Sequence, residues 1–267
     1  MKVFFIGAGP GDPELLTLKA ARIIGQCPVC LYAGSLVPVE VVDCAPENAR
    51  VVDTAPLTLN ETHAEIMEAH AKGQDVARVH SGDPSLYGAI AEQIRLLRAD
   101  GIEYEIIPGV PAYTAVAAAL KQELTIPEVA QSIVLTRMSM KSTSMPAGET
   151  LENFAISGTT LAIHLAIRNL REIERVLVPH YGVDCPVVVA YRASWPDQII
   201  IRGTLGDIRK KVRAAKITRT ALILLGPALK EQQDFVNSAL YDPNMEHVLR
   251  NRKTPSVSNN LNISELT

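Results

Sequence analysis

The chain has 267 residues, of which 47% are hydrophobic, 4% aromatic and 21% charged. This hydrophobic content excludes disorder over most of the chain, and the length allows one large or two ordinary domains. Because 26 Lys and Arg stand against 29 Asp and Glu, the net charge is -3. The chain therefore lacks the basic surplus that non-specific nucleic-acid binding requires, although a local basic cleft is compatible with these numbers.

The uncharged stretches of the chain do not predict a membrane helix or a signal peptide. Among the longest ones, residues 23–39 and 106–120 each contain two prolines and at least one glycine, whereas a spanning helix needs roughly 20 apolar residues. The apolar run at the N-terminus reaches Gly7 and Pro10 too early for a signal peptide. We therefore expect a cytoplasmic protein. Four scattered cysteines do not suggest a disulfide scaffold.

Short β-branched runs alternate with longer amphipathic runs, which is typical of a mainly parallel α/β sheet. Strands are predicted at residues 2–6, 29–32, 50–53, 75–80, 103–107, 132–136, 159–164, 187–191, 198–202 and 220–225. A first helix is predicted from Asp12 as its cap to Gly25, and another over residues 60–72 with Asn60 as its cap. Further helices are predicted at residues 112–121, 169–177 and 205–215.

The pattern restarts after the Ala-rich helix, at Ile126-Pro127-Glu128. We therefore predict an N-terminal α/β domain over residues 1–122 and a second α/β domain over residues 123–245. The facing surfaces of two such domains are the default position of a cofactor cleft. Residues 246–267 are expected to be a C-terminal extension, mobile because it is polar and aromatic-free from about Asn251.

A glycine-rich loop, residues 7–13, follows the first predicted strand directly. Its three glycines allow a tight turn and close backbone approach to a ligand. A dinucleotide fingerprint would need glycine in place of Asp12 and an acid near Tyr32, and a phosphate-binding P-loop would need a following Gly-Lys-Ser/Thr. The loop therefore indicates a ligand other than NAD or ATP, unless it is only a structural turn.

Two more loops of small and turn-forming residues, 81–88 and 108–112, follow the predicted strands that end at His80 and Ile107. Open α/β sheets bind ligands at the carboxyl ends of their strands, so these loops extend the same rim. The alternative for residues 81–88 is a turn in which Asp83 caps the next helix.

These three loops, in this order and spacing, resemble those of the tetrapyrrole methyltransferase family, and the resemblance extends to about Arg252. Further similar segments are residues 31–37, 136–137, 196–198, 203–205 and 220–226. The resemblance implies two α/β domains, a homodimer and the use of S-adenosyl-L-methionine, with S-adenosyl-L-homocysteine as product. Within the family, residues 32–37 and Met145-Pro146 are similar to the branch that methylates C11 of precorrin-4 to give precorrin-5 in cobalamin biosynthesis.

The resemblance also implies which residues enclose the cofactor, mostly through backbone groups. The implied cofactor-binding residues are Pro10, Gly82, Asp83, Leu86, Tyr87, Ala112, Tyr113, Leu165, Tyr191, Arg192, Thr220 and Ala221. Asp83 is also the candidate catalytic residue, either as a proton acceptor or as the group that holds the cofactor loop.

A precorrin carries many carboxylates, so the cleft is expected to be basic although the chain is not. Arg137, Lys141 and Arg219 are the candidate substrate-binding residues, and Arg192 could add a further contact. The sequence departs from the family pattern at Met140-Lys141, where relatives carry Gly-Arg. Met limits positive φ and Lys cannot make the bidentate carboxylate contact of Arg, which puts the usual role of this loop in doubt.

Several alternatives stay open at this stage. The acceptor could be uroporphyrinogen III, cobalt-precorrin-4 or a non-tetrapyrrole, and the chain could instead be a non-catalytic cofactor-binding module or, against the loop pattern, an NAD-dependent oxidoreductase. Cys27 and Cys30 have redox or zinc spacing, but without a second pair they fit buried structural thiols better, and no metal is expected. His80 and His164 end strands near the cleft and either contact a ligand or stabilise the fold.

Overall fold

The computed structural model describes residues 1–138, 143–231, 235–242 and 245, which contain ten strands and eight α-helices. The strands are β1 Lys2–Gly7, β2 Val29–Tyr32, β3 Arg50–Asp53, β4 Val76–His80, β5 Glu103–Ile107, β6 Ile133–Arg137, β7 Thr160–His164, β8 Pro186–Tyr191, β9 Ile199–Thr204 and β10 Ala221–Leu225. The helices are α1 Leu18–Ile24, α2 Val39–Val42, α3 Leu59–Ala71, α4 Ala91–Ala99, α5 Ala112–Leu120, α6 Leu151–Ala155, α7 Leu170–Tyr181 and α8 Ile208–Ala214. Each predicted strand agrees with an observed strand to within two residues at either end.

The N-terminal sheet is fully parallel and has the strand order β3-β2-β4-β1-β5. Its two faces are covered by separate apolar clusters, one built around Ile24 and Val79 and the other around Phe5 and Ile66. Burial on both faces explains why its strands read as nearly continuous apolar runs. The chain order reverses between β1 and β4, so the loops that follow these strands meet at one edge.

The C-terminal sheet has the order β6-β7-β10-β8-β9 and is mixed. Only β6 and β7 pair in parallel within it, whereas β7-β10, β10-β8 and β8-β9 are antiparallel. The expectation of a mainly parallel arrangement is therefore wrong for this half. The connection from β8 to β9, residues 192–198, contains no helix and is too short for the crossover that parallel pairing needs.

Three helix starts differ from the prediction, one of them that of α8, which begins at Ile208 and not at Leu205. Asp12 caps only one 3-10 turn, Pro13–Leu15, because Leu16 is extended and α1 begins again after its own cap, Thr17. The helix α3 is capped by Thr58, not by Asn60: the Thr58 Oγ1 accepts from the Glu61 amide and the Glu61 carboxylate accepts from the Thr58 amide. This reciprocal pair satisfies two free amides at once.

The helix α5 packs on the C-terminal sheet although it follows the last strand of the N-terminal one. Its residues Ala115, Val116 and Leu120 share a core with Leu222 and Leu224 of β10. The division into residues 1–122 and 123–245 stays a prediction, and α5, although it lies within the first of these ranges, packs on the sheet of the second. The 246–267 extension and Lys141 lie outside the described residues.

Every helix within the described ranges is too short or too polar to cross a membrane.

Candidate active site

A cavity of about 320 Å³ lies where the loops of the two sheets face each other, which is within the size range of small-molecule sites. Small and apolar side chains form most of its wall. The lining residues are Pro10, Ala33, Leu36, His80, Ser81, Gly82, Asp83, Leu86, Tyr87, Gly88, Pro111, Ala112, His164, Leu165, Ala190, Arg192, Ala193, Trp195, Thr220, Ala221 and Leu222.

The N-terminal rim of the cavity consists of the loops after β1, β4 and β5, and glycines bring these loops together. Gly9 and Gly82 exchange two backbone hydrogen bonds, at 3.2 Å and 2.6 Å. A Cβ on Gly7 would lie 2.6 Å from the Gly109 Cα and from the Gly82 carbonyl oxygen, and a Cβ on Gly109 would overlap the same oxygen. Only glycine allows this approach, so the rim is a tight backbone surface.

Asp83 connects two loops of the N-terminal rim. Its Oδ1 accepts from the Ser85 amide at 2.8 Å and from the Ser85 hydroxyl, and its Oδ2 accepts from the Gly109 amide at 3.0 Å. Charge-assisted hydrogen bonds of this kind are about twice as strong as neutral ones. The carboxylate therefore holds loop geometry, and a direct role in the reaction stays a prediction.

The C-terminal rim consists of the loops after β7 and β8 and before β10, and it is built differently. Leu165, Arg192 and Thr220 have φ values of 54°, 46° and 52°, in the left-handed region where side chains are disfavoured. The Arg192 amide donates to the Thr220 carbonyl at 3.0 Å, which connects two of these positions. Side chains are thus presented at the cavity from strained backbone, and the Leu165 residue is 72% exposed.

Two histidines line the cavity, as the sequence suggested for the ends of their strands. His80 is 5% exposed and its Nε2 is buried without a partner among the described residues. Burial and the nearby Arg78 charge lower the pKa of His80 to about 3, so its imidazole is neutral near pH 7. Burial also lowers the pKa of His164, whose ring lies 5.0 Å from the Tyr87 ring across the cavity.

Most of the sequence-predicted cofactor residues are brought together at this cavity. Those that line it are Pro10, Gly82, Asp83, Leu86, Tyr87, Ala112, Leu165, Arg192, Thr220 and Ala221. Tyr113 and Tyr191 are not among the lining residues. They pack against the two opposite cores of the C-terminal sheet instead.

The predicted substrate residues are less concentrated. Arg137 does not line the cavity and its Nη2 donates to the Thr143 carbonyl at 3.0 Å, but its charge opposes the rise in the pKa of Tyr87 that burial causes. Arg219 is exposed and outside the lining, and Lys141 with Met140 lies outside the described residues. Arg192 is the one Lys or Arg that lines the cavity in the described part of the chain.

Trp195 is a lining residue that the sequence reasoning missed. Its indole Nε1 donates to the Pro10 carbonyl at 3.0 Å, so it crosses from the C-terminal rim to the N-terminal one. The only signal was that it is the single tryptophan of the chain and stands directly before the family-like segment 196–198.

Cys27 and Cys30 are buried free thiols. Desolvation is the main cause that raises the pKa of Cys27 to about 12 and of Cys30 to about 11, which favours the unreactive protonated form. Across residues 1–138, 143–231, 235–242 and 245, no three His, Cys, Asp or Glu side chains are grouped as metal ligands.

Comparison with known proteins agrees with this geometry. The family described as Tetrapyrrole (Corrin/Porphyrin) Methylases matches residues 2–209. A precorrin-4 C(11)-methyltransferase of Sinorhizobium sp is 54% identical over 252 residues, which cover 94% of this chain and 99% of that relative. The solved structure of a cobalt precorrin-4 methyltransferase is 40% identical, with a TM-score of 0.83, and the alignment covers 86% of this chain and 96% of that one. A uroporphyrin-III C-methyltransferase from Thermus thermophilus, complexed with S-adenosyl homocysteine, is 27% identical, with a TM-score of 0.72 and coverage of 88% and 98%.

Proposed function

Because the chain belongs to the tetrapyrrole (corrin/porphyrin) methylase family, we propose that it transfers a methyl group from S-adenosylmethionine to C11 of precorrin-4, giving precorrin-5 in cobalamin biosynthesis. The observation that carries the proposal is the cavity between the loops of the two sheets, which ten of the residues implied by the family resemblance line. The high identity to a precorrin-4 C(11)-methyltransferase over nearly the whole chain supports this choice of acceptor.

The cavity residues fit S-adenosylmethionine. The tight backbone of the N-terminal rim gives close access to peptide groups, and the apolar wall, which includes Leu36, Ala190 and Ala193, suits an adenine. The buried Nε2 of His80 has no partner among the described residues, so it offers a neutral hydrogen-bonding group at the same wall. Pro10 and Leu86 would pack against the cofactor from the N-terminal rim, and Leu165 would do so from the other side.

When bound, S-adenosylmethionine supplies a methyl group on a positively charged sulfur, whose departure leaves a neutral thioether. The chain's own task is therefore to align the two partners and exclude water. Asp83 fixes the loop after β4 against the loop after β5, and Tyr87 with His164 spans the cavity between the two rims. The conjugated acceptor carbon is electron-rich and attacks the methyl group directly, and the proton that the methylated acceptor then releases is taken up by water or by Asp83, which lines the cavity.

An acidic acceptor requires cations at the cavity, and Arg192 is the Lys or Arg that the described lining provides. Arg137 and Arg219 are proposed as outer contacts for the carboxylates, since they lie in the C-terminal half outside the lining. The same contacts suit precorrin-4 with or without cobalt, and a cobalt precorrin-4 methyltransferase is among the similar structures.

The test is a reaction with isotope-labelled S-adenosylmethionine and precorrin-4 generated in situ, beside parallel reactions with cobalt-precorrin-4 and uroporphyrinogen III. We expect a product heavier by one methyl group, with the label on C11 by NMR. A labelled methyl at another carbon, or methylation of uroporphyrinogen III alone, would contradict the proposed acceptor. Binding of S-adenosylhomocysteine by calorimetry without any methylated product would indicate a non-catalytic module.

A cytoplasmic homodimer is part of the same proposal and is supported only by the family resemblance. Light scattering on the purified chain should give twice the mass of 28.9 kDa. A monomer that still methylates precorrin-4 would remove the dimer from the proposal and leave the reaction in place.

A further inference from the structure

The loop between β8 and β9 makes contacts to the glycine-rich loop after β1. The Trp195 Nε1 donates to the Pro10 carbonyl at 3.0 Å, and the Asp12 amide donates to the Ser194 hydroxyl at 2.9 Å. A Cβ on Gly11 would overlap the Trp195 indole, so the two loops are in close contact at this point. These contacts join the two rims of the cavity.

The β8-β9 loop is held rigidly by its own hydrogen bonds. The Trp195 amide donates to the Arg192 carbonyl at 3.0 Å, and the Gln198 amide donates to the Trp195 carbonyl at 3.0 Å. The Ser194 amide donates to the Gln198 Oε1 at 2.8 Å, while Ser194 itself has a left-handed φ of 67°. A loop fixed in this way can hold the indole in one position against Pro10.

Arg192 makes a second contact to the Trp195 indole. Its guanidinium carbon lies 4.0 Å from the centre of the Trp195 ring, in cation–π geometry, and its Nε pairs with Asp197 at 3.0 Å. The ion pair with Asp197 uses the Nε and not the two terminal amino groups of Arg192, and the residue lines the cavity. A planar guanidinium held at two points keeps those groups available for a carboxylate.

We propose that Trp195 is a positioning residue with two separable tasks: its indole N–H fixes the Pro10 loop for the cofactor, and its ring holds Arg192 for a carboxylate of the methyl acceptor. This rests on the proposed methyl transfer for its second task, whereas the first task concerns cofactor binding alone. Trp195 acts through Pro10 and Arg192, so its substitution should change two different constants through two different atoms.

Three variants separate the tasks. W195F keeps a ring under Arg192 but loses the N–H, so the Kd for S-adenosylhomocysteine should rise about tenfold while the KM for the acceptor changes less than about twofold. R192Q keeps the indole N–H of Trp195 and the backbone of residue 192, through which the cofactor contact implied by the resemblance would be made, so the acceptor KM should rise about tenfold or more and the Kd should change less than about twofold. W195L should raise both constants.

A matched control is Y181F, which also removes one side-chain donor to a backbone carbonyl, that of Thr159 at 2.7 Å. It lies away from the cavity lining and should change neither constant, even where it lowers Tm as much as W195F does. If W195F and R192Q shift the two constants equally, or shift only Tm as Y181F does, the proposal is overturned.

Trp195 also gives a direct optical signal, because it is the single tryptophan of the chain. Its emission should shift when S-adenosylhomocysteine binds, and R192Q should change the emission of the free protein. If the wild type transfers no methyl group, the proposed function fails, but the first task of Trp195 can still be tested by cofactor binding. The first task is overturned if W195F binds S-adenosylhomocysteine as tightly as the wild type does. If the wild type is active and R192Q keeps its acceptor KM, the second task is overturned and the proposed function stands.

Discussion

The two rims of the cavity use their backbones differently, although Tyr87 of the N-terminal rim also has a left-handed φ, of 56°. The N-terminal rim removes side chains: Gly7, Gly82 and Gly109 let three loops touch through their backbones. The C-terminal rim keeps side chains at positions such as Leu165 and Thr220, although their φ values of 54° and 52° favour glycine. Left-handed backbone at a non-glycine residue costs roughly 1–3 kcal/mol, so the C-terminal rim retains side chains against a steric cost.

This difference indicates a division of labour. A surface of peptide groups keeps its geometry when side chains change, because backbone geometry is insensitive to side-chain identity. Such a surface is suited to a chemical group that all ligands of the site have in common. A surface of strained side chains can be changed residue by residue, so its contacts to a ligand are expected to depend on side-chain identity. The substitutions below test each half of this comparison, from the largest expected effect to the smallest.

Gly109→Ala should be the most damaging change, since the new Cβ would overlap the Gly82 carbonyl oxygen and lie 2.8 Å from the Gly7 Cα. Overpacking at a rigid contact predicts a stability loss of about 3 kcal/mol by urea unfolding and a fall in kcat/KM of more than about 100-fold. Gly148→Ala is the control, because nothing lies within 4 Å of its added Cβ. An active, stable Gly109→Ala variant would show that the N-terminal rim does not depend on backbone contact.

Asp83→Asn replaces one acceptor oxygen by a donor and so opposes either the Gly109 amide or the Ser85 groups. We expect a stability loss of about 2 kcal/mol and a fall in kcat of about 10- to 100-fold, because hydrogen bonds to a charged group are lost. Asp207→Asn removes a comparable carboxylate, which accepts from the Thr204 amide at 2.8 Å outside the cavity lining. The proposed role of Asp83 requires that only Asp83→Asn lowers kcat; equal kinetics in the two variants would argue against it.

His80 should make stability depend on pH. Its folded-state pKa, lowered to about 3, is below the unfolded value of about 6.5, so the unfolded chain binds the extra proton as pH falls. The free energy of unfolding should therefore decrease below about pH 6.5, by about 2 kcal/mol at pH 5 from this group. His80→Leu should lack this part of the decrease, and His70→Gln, at an exposed helix position, should retain it. Identical pH profiles for wild type and His80→Leu in urea titrations would refute the buried neutral state.

Leu165 gives the smallest and most specific effect. At its φ of 54°, Leu165→Gly should be more stable than Leu165→Ala by about 1 kcal/mol, while both weaken S-adenosylhomocysteine binding equally through loss of the side chain. Ile156, which is 75% exposed but has a φ of -56°, should show the reverse order, with alanine more stable than glycine. Calorimetry that finds unchanged affinity in both Leu165 variants would contradict the idea that the C-terminal rim keeps side chains for the ligand.

Much of the fold and half of the site could be predicted from the sequence. Period-two and continuous apolar runs identify strands directly, which is why the ten strands were found. The loops after β1, β4 and β5 can be recognised by their glycines and prolines, because close backbone approach requires those residue types. The first helix was misplaced because Asp12 and Pro13 start a 3-10 turn as well as they start a helix, and the extended Leu16 has no sequence signature.

The C-terminal rim was harder to predict from the sequence, for a physical reason. Positive φ at Arg192 and Ser194 occurs at residue types that do not favour it and accompanies hydrogen bonds to Thr220 and Gln198, so no residue-type signal marks it. Likewise, the contact between Trp195 and Pro10 joins positions far apart in the chain and depends on how the two sheets face each other. The local sequence pattern also did not reveal that Tyr113 and Tyr191 pack against hydrophobic cores next to their predicted site.

The paired hydrogen bonds between Gly9 and Gly82 have a consequence for protein engineering. Because the two loops are in fixed register, inserting or deleting one residue in either of them would break both bonds and displace the cavity floor. The loops of the C-terminal half have no such reciprocal bridge to a neighbouring glycine among the described residues. Libraries that seek new acceptors should therefore vary the segments around Arg137 and Arg219, which are proposed to contact the acceptor, and keep the spacing of residues 7–13 and 81–88 unchanged.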